Sequence, residues 1–224
     1  MTDSVFDLHA TIARLFVYPI KSCAGVELPE VLLTETGLEF DRAWMVVGAD
    51  GVFVSQRELP RMALIRPQMK QMEMVLRAPG MLALHIAFDR VEQPVRVKVW
   101  RDEVAAYDMG DIAAQWFSDF LSEPGQPQTL RLVRFDPEHQ RLSNLTWTKG
   151  VEAPNQFSDG FPLLVTSEKS LDELNEKLDA AGHAAVGIEA QDEDRVETMH
   201  IATAEGGAHI EPAKPCPRCP IPDI

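Results

Sequence analysis

The sequence has few cysteines and no long apolar run. Three cysteines in 224 residues are an odd number, which predicts free thiols in a reducing compartment rather than a disulfide framework. The longest apolar runs, such as residues 81–88, fall far short of the roughly 20 residues that span a bilayer. We therefore expect neither a disulfide scaffold nor a transmembrane helix, and no membrane partner.

Basic residues are also in short supply. The chain has 21 Lys and Arg against 35 Asp and Glu, a net charge of −14. This charge repels phosphate backbones, so we expect no nucleic-acid partner. The amino terminus is acidic, with Asp3 and Asp7 and no basic residue before position 14 other than His9, whereas a signal peptide begins with basic residues. The sequence therefore predicts a cytoplasmic protein.

Short strands dominate the first hundred residues. Residues 95–100 alternate valine with charge before ending in Trp100, which predicts a strand with one buried face. Similar runs bounded by Pro and Gly predict further strands at 12–18, 26–33, 43–47, 52–55, 69–76 and 81–88. Many short strands of this kind are typical of a barrel or a sandwich.

A helix and another strand follow. Apolar residues from Ile112 to Leu121 recur at helical spacing, and Asp108 or Asp111 can cap the start of this helix. Residues 129–135 are predicted to form a strand.

The second half of the chain has weaker patterns. Residues 136–160 lack a steady period, which predicts a long loop between two subdomains. An apolar strand at 162–166 leads into a helix that ends before Gly182 and whose apolar face consists of Leu171, Leu174 and Leu178. Two more strands are predicted, at 198–202 and 208–212. The fold class is therefore a β-rich α+β protein with a few helices.

The carboxyl-terminal segment contains a Cys-x-x-Cys pair, Cys216 and Cys219. A thioredoxin-type site needs a helix behind the first thiol, which Pro220 disfavours. A structural zinc site needs a second pair of ligands, for which Cys23 and His209 are candidates. The residues alone leave zinc binding and two thiols in a proline-stiffened loop as alternatives.

Five motifs in one order resemble the MOSC (molybdenum cofactor sulfurase C-terminal) family and its N-terminal β-barrel module. They are Tyr18-Pro19-Ile20-Lys21-Ser22, Asp41-Arg42-Ala43-Trp44-Met45, Ser55-Gln56-Arg57, Thr166-Ser167-Glu168-Lys169-Ser170-Leu171 and Lys214-Pro215-Cys216-Pro217-Arg218-Cys219. The resemblance covers most of the chain. It implies a β-barrel module at 8–135, a crossing loop at 136–160 and a partial MOSC β-barrel domain at 161–224.

The second module departs from the family pattern. Relatives carry an Arg-Phe-Arg-Pro-Asn segment before a Gly-x-Glu-Ala stretch, whereas Val186 leads directly to Gly187 in this sequence. Relatives also continue for several strands past the metal cysteine, and this sequence ends at Ile224. We therefore expect an incomplete second module, a better ordered first module up to about Phe135, and weakened cofactor binding.

The resemblance implies a molybdenum cofactor, a molybdopterin whose metal is bound by the catalytic Cys219. A thiolate is a strong, soft ligand for such a metal, and Cys216 is then a neighbour. The cofactor-binding residues that the resemblance implies are Lys21, Ser22, Arg42, Arg57, Thr166, Ser167 and Arg218. Arginine grips phosphate through two parallel hydrogen bonds, and the start of a helix favours anions.

Arg42 has a second interpretation, an ion pair with Asp41. Adjacent residues of a strand point to opposite faces, so this pair would be strained within a regular strand, and we predict cofactor binding instead.

The activity that the resemblance implies is an oxidoreductase that reduces small N-hydroxylated compounds. Its electrons would come from a separate electron-donor protein, because three cysteines cannot build an all-cysteine iron–sulfur site. A non-catalytic cofactor or sulfur carrier of the same fold, and a structural protein that binds nothing, remain as alternatives.

Overall fold

A computed structural model describes residues 11–90, 93–183, 199–203, 206–211 and 213. These residues contain thirteen strands, two α-helices and a 3-10 helix, which confirms the predicted β-rich α+β class. The strands are β1 (Leu15–Val17), β2 (Val26–Leu28), β3 (Leu33–Thr34), β4 (Gly37–Leu38), β5 (Trp44–Gly48), β6 (Arg66–Met69), β7 (Glu73–Arg77), β8 (Leu84–Ala87), β9 (Gln93–Val99), β10 (Asp102–Asp108), β11 (Leu130–Phe135), β12 (Met199–Thr203) and β13 (Gly206–Ile210). The helices are α1 (Asp111–Leu121), α2 (Glu168–Ala180) and the 3-10 helix Pro60–Leu64. Within the described chain, no helix has the length and apolarity needed to cross a membrane.

The described residues form two compact units. The first unit comprises residues 11–141 and 154–162, and the second comprises residues 142–153 and the described residues from 163 onward. Strands β1 to β11 and α1 belong to the first unit, while α2, β12 and β13 belong to the second.

The central sheet of the first unit has the antiparallel order β5-β11-β10-β9. The segment 52–54 hydrogen-bonds to both outer strands of this sheet. The Gly48 N–H donates to the Val52 carbonyl (2.9 Å), and the Phe53 N–H donates to the Lys98 carbonyl (3.0 Å). The segment therefore joins β5 to β9 and closes the sheet into a ring, as a barrel requires.

Strands β5 and β11 of this ring are buried on both faces. Alternation along β5 and β11 places Met45, Val47, Val133 and Phe135 on one face of the sheet. These residues form the inner cluster together with Val97, Val99, Val104, Ala106 and Phe157. The opposite face carries Trp44, Val46, Leu130 and Leu132, which pack with α1 and the sheet β6-β7-β8 to form the outer cluster. Strands buried on both faces read as continuous apolar runs, which explains the sequence of β5. The predicted alternation at 95–100 is confirmed, because Val97 and Val99 are buried and their charged neighbours are exposed.

Helix α1 confirms the predicted apolar spacing, and its Phe117 and Phe120 are fully buried. The predicted aspartate cap is wrong, because Gly110 is the N-cap and no side chain caps the helix. Asp108 instead accepts the Gly110 N–H (2.7 Å) and pairs with Arg131, which also reaches Asp111 (3.0 Å). Asp108 therefore binds both the N-cap residue and an arginine of β11, and neither aspartate forms a side-chain cap of the helix.

The second unit differs from the sequence prediction at one strand. Residues 163–167 form no strand, and Leu164 is 59% exposed. The apolar strand predicted at 162–166 is therefore wrong, and Val165 is also 37% exposed. Helix α2 follows as predicted, and Gly182 (φ 78°) ends it with N–H donation to the Asp179 carbonyl (2.9 Å), while the His183 N–H reaches the Leu178 carbonyl (2.9 Å). The last two predicted strands are confirmed as the antiparallel pair β12 and β13.

Candidate functional site

Lys21 is a buried lysine at the centre of a charged cluster in the first unit. The residue is 6% exposed, and its N–H donates to the Trp44 carbonyl of β5 (2.9 Å). The ammonium donates to the Phe157 carbonyl (3.0 Å) and forms an ion pair with Asp159. Burial lowers the pKa of Lys21, Asp159 opposes this change, and the nearby Arg42 adds to it. The Lys21 ammonium is therefore buried, with its charge compensated by Asp159 and with Arg42 nearby.

Two aromatic rings border this ammonium. Nζ of Lys21 lies 5.5 Å from the ring centroid of Phe53 and 5.9 Å from that of Trp100. The two rings contact each other, with centroids 4.8 Å apart. Cζ of Arg57 lies 5.6 Å from the Trp100 centroid, and the indole N–H donates to Oδ1 of Asp159 (2.9 Å). Trp100 thus contacts two cations at cation–π distance and donates a hydrogen bond to the carboxylate that pairs with Lys21.

The turn between β9 and β10 positions Trp100. Its backbone has φ 56°, in the left-handed region. For an L-residue with a Cβ, this conformation costs about 1–2 kcal/mol. Such strain is retained where surrounding contacts fix it, and it concentrates at functional sites.

Arg42 forms an ion pair with Asp41, with 2.5 Å between Nη1 and Oδ2. The prediction that this pair would be strained is wrong, because both residues precede β5 and Arg42 has φ 51°. The Arg42 N–H donates to the Tyr18 carbonyl (2.8 Å), and its guanidinium lies 4.6 Å from the Tyr18 ring centroid. Oδ1 of Asp41 accepts the Tyr18 N–H (2.7 Å). Asp41 therefore fixes Arg42 beside residues 18–22, the segment that contains Lys21.

The motif at 55–57 contacts the same segment. Nε2 of Gln56 donates to the carbonyl of Ser22 (2.8 Å), which has φ 67°. Ser55 is buried, and its hydroxyl donates to Glu58 (2.5 Å), which fixes the turn that carries Arg57. Three of the five sequence motifs thus come together in the first unit.

Arg141 organises the loop that supplies Asp159. The side chain of Arg141 is 7% exposed, and Nε pairs with Asp102 (2.7 Å). Nη1 donates to Oδ1 of Asn155 (2.5 Å) and to the carbonyls of Gln156 (2.6 Å) and Ser158 (2.7 Å). A single guanidinium therefore binds this short loop at several points and fixes the backbone around Asp159.

The Asp159 carboxylate is the anion that pairs with Lys21. Its burial acts to raise the pKa, but Lys21 and the Trp100 N–H outweigh this effect, so the pKa lies below its ordinary value. Asp159 is therefore ionised at neutral pH and keeps the Lys21 ammonium charged.

The predicted site residues divide into three groups. Lys21, Ser22, Arg42 and Arg57 lie together in the first unit, as described above. Thr166 and Ser167 belong to the second unit and directly precede α2, as the sequence predicts. Arg218, Cys219 and the neighbouring Cys216 lie outside the described residues.

Cys23 is the cysteine that the structure describes. It is 1% exposed, and burial raises the pKa of its thiol. A metal ligand must be a thiolate, so this environment favours the small apolar role over the zinc alternative.

Sequence reasoning missed Trp100, Asp159 and Arg141. A tryptophan at the end of an alternating strand is a weak signal of a functional site, because aromatic residues are common in ordinary strands. Asp159 and Arg141 lie in a segment without a period, and only its docking on the ring brings them to Lys21.

Residues 9–124 match the MOSC N-terminal beta barrel domain. The chain is 34% identical over 177 residues to mitochondrial amidoxime-reducing component 1 of Mus musculus, covering 75% of this chain and 51% of that protein. It is 29% identical over 232 residues to mitochondrial amidoxime reducing component 2 of Rattus norvegicus, covering 96% of this chain and 66% of that protein. Molybdenum cofactor sulfurase of Bos taurus is 38% identical over 118 residues, which cover 50% of this chain and 13% of that protein. The chain thus spans between about half and two thirds of the amidoxime-reducing components it matches.

Proposed function

This chain belongs to the MOSC family, and from that premise we propose that it binds a molybdenum cofactor with the cationic cluster around Lys21. We further propose that the protein is an oxidoreductase that reduces N-hydroxylated compounds, with electrons from a separate protein. The relatives named for amidoxime reduction and for the molybdenum cofactor support this assignment.

The observation that carries the proposal is a concentration of cations around the buried Lys21. The chain as a whole has a net charge of −14, yet Lys21, Arg42 and Arg141 are close enough for both arginines to lower the pKa of Lys21. Burying cations near one another is costly unless an anion compensates them. Asp159, Asp41 and Asp102 each compensate one of these cations. A phosphate-bearing ligand fits the same group of cations, and the Trp100 ring offers a flat face to a heteroaromatic group.

Each side chain of the cluster has a role in this proposal. The Lys21 ammonium and the Arg57 guanidinium bind phosphate oxygens, and Arg42 adds its planar fork where Asp41 leaves N–H groups available. Asp159 holds Lys21 protonated until the anion arrives. Ser22, Thr166, Ser167 and Arg218 are proposed as further ligands of the cofactor, and Cys219 as the ligand of the metal. When bound, the cofactor supplies two-electron redox chemistry at molybdenum.

Molybdenum content of the full chain, produced in a host that makes the cofactor, tests the binding proposal. Lys21→Ala should lower cofactor affinity by roughly 10- to 100-fold, because one charge-assisted hydrogen bond is worth about 1.5–3 kcal/mol. Lys98→Ala is the matched control, since Lys98 is an exposed lysine of β9. Equal molybdenum in both variants would contradict the assignment of Lys21.

Cysteine variants test the metal ligand separately. Cys219→Ser should empty the site, whereas Cys216→Ser and Cys23→Ser should retain most of the molybdenum. Equal loss in all three would favour the zinc-type cluster instead.

Turnover distinguishes an enzyme from a carrier of the same fold. The absence of an Arg-Phe-Arg-Pro-Asn segment between Val186 and Gly187 favours the carrier as the second candidate. The test supplies molybdenum-loaded protein with an amidoxime and a chemically reduced viologen. Amidoxime-dependent oxidation of the dye supports the oxidoreductase, and its absence in fully loaded protein leaves the carrier.

A further inference from the structure

Arg134 is a charged residue at a core-facing position of β11. Leu130 and Leu132 lie on the same face of that strand and belong to the outer cluster, so alternation favours an apolar side chain at position 134. Its guanidinium instead lies over Trp44, with Cζ 5.4 Å from the ring centroid. Nη1 donates to the Phe88 carbonyl. Strand β11 thus places the Arg134 guanidinium against Trp44 of the outer cluster.

Arg134 has no counter-ion in the described part of the chain, where no carboxylate forms an ion pair with it. Burial lowers the pKa of Arg134, but a guanidinium remains charged at neutral pH. A partly buried charge without a partner reduces stability. Arg131, two residues earlier on the same strand, pairs with Asp108 and Asp111 and shows the usual arrangement.

A cleft in the first unit lies beside Arg134. Its volume is about 220 Å³, and its walls include Phe40, Ala43 and Pro137 in addition to Arg134 and Gln156. An apolar cavity of about 150 Å³ holds benzene, so this cleft has room for one substituted aromatic ring. Oε1 of Gln156 is buried and has no hydrogen-bond partner among the described residues.

We propose that this cleft binds a small aromatic carboxylate. The carboxylate pairs with the N–H groups of Arg134 that the Phe88 carbonyl leaves available, because a planar guanidinium binds a carboxylate through two parallel hydrogen bonds. The ring packs against Phe40 and Pro137. A hydroxyl or amino substituent on the ring donates to the Gln156 amide. None of the residues that line this cleft is a proposed ligand of the cofactor, so the proposal does not depend on the cofactor.

Glu39, an exposed residue that also lines the cleft, sets the charge selectivity. Its carboxylate repels anions that carry more than one negative charge, which disfavours inorganic phosphate relative to a monocarboxylate. Glu39→Gln should therefore tighten benzoate binding.

An NMR titration of the full 15N-labelled chain tests the proposal with three probes. Benzoate carries both the ring and the charge, benzamide carries the ring alone, and inorganic phosphate carries charge alone. Benzoate should bind at least tenfold more tightly than either control, and it should shift the backbone amides at 36–43 and 134–136.

Variants assign the effect to Arg134. Arg134→Gln should weaken benzoate binding at least tenfold and leave benzamide binding unchanged, while Arg77→Gln, which alters an exposed arginine of β7, should change neither. Arg134→Met should raise the thermal midpoint and abolish the preference for benzoate over benzamide. Equal affinities for benzoate and benzamide in the unaltered chain, unaltered benzoate affinity in Arg134→Gln, or no saturable shift with benzoate would overturn the proposal. If Arg134→Gln does not fold, Arg134→Met provides the same comparison.

Discussion

Replacing Arg141 with methionine removes the guanidinium that binds the loop before Asp159. Methionine retains most of the apolar stem, so the change isolates the hydrogen bonds. It leaves Oδ1 of Asn155 and the carbonyls of Gln156 and Ser158 without their present donor. Arg141 is 7% exposed, so water replaces these bonds only if the loop moves away from the ring.

The expected loss of unfolding free energy follows from this burial. A hydrogen bond from a charged donor is worth about 1.5–3 kcal/mol, but bonds that share one side chain do not add. Breaking a buried ion pair from one side costs about 3–5 kcal/mol. Asp102, at the other end, is half-exposed and regains water. We therefore expect a loss of about 3–5 kcal/mol, or roughly 6–20 °C in Tm for a chain of this size.

Arg96→Met is the matched control. Arg96 pairs with Glu103 at 2.9 Å, and the two side chains are 57% and 56% exposed. Exposed pairs contribute about 0–1 kcal/mol. Urea unfolding followed by circular dichroism gives both free energies, and similar m-values establish that the same transition is compared. Losses of equal size in the two variants would refute the anchoring role of Arg141.

Three further predictions concern the first unit. Burial acts to raise the pKa of Asp108, but Arg131 and a backbone N–H outweigh it, so the pKa is lowered overall. The ionised Asp108 therefore stabilises the folded chain. This stabilisation is present above the ordinary carboxyl pKa of about 3.9 and is lost as pH falls through the lower pKa of the folded state. Asp108→Asn should therefore be destabilised at pH 7, with the difference from the unaltered chain shrinking below about pH 4 in urea titrations. Gly37→Ala should lower Tm more than Gly80→Ala, because both glycines have positive φ but only at Gly37 does an added Cβ meet another residue, at 2.8 Å. Cys23 should resist a thiol-reactive dye until the chain unfolds, since it is buried and its thiol pKa is raised; rapid labelling of the native Cys216→Ser, Cys219→Ser double variant would contradict this.

Periodicity explains why much of the fold was predictable. Strand β9 and helix α1 carry strong apolar periods because each buries one face. Strand β10 has no such signal in the sequence. Its buried residues Val104 and Ala106 alternate with Ala105 and Tyr107, which carry no charge, so the contrast between the two faces is weak. The strand predicted at 162–166 failed for the opposite reason, because its sequence is apolar but Leu164 and Val165 are exposed. Composition of a short run does not determine whether another element covers it.

The candidate site was predictable only where a motif carried it. Lys21, Arg42 and Arg57 each lie in a short motif, and the structure brings these motifs together. Asp159 reaches Lys21 because Phe157 inserts into the inner cluster, at 5.3 Å from the Phe135 ring, and Arg141 binds the loop. Such docking depends on contacts between residues far apart in sequence, which no local pattern encodes.

The closure of the ring by residues 52–54 also affects how the first unit meets other molecules. An open sheet presents an unpaired outer strand, on which a second copy can add a strand of its own and begin a fibril. Here both β5 and β9 already bond to the closing segment. Substituting Phe53 with proline would remove the N–H that reaches the Lys98 carbonyl and leave the bond from the Lys98 N–H to the Gly51 carbonyl as the remaining link at this position. The segment therefore protects these strands against self-assembly, a role that purely local stability measurements would not detect.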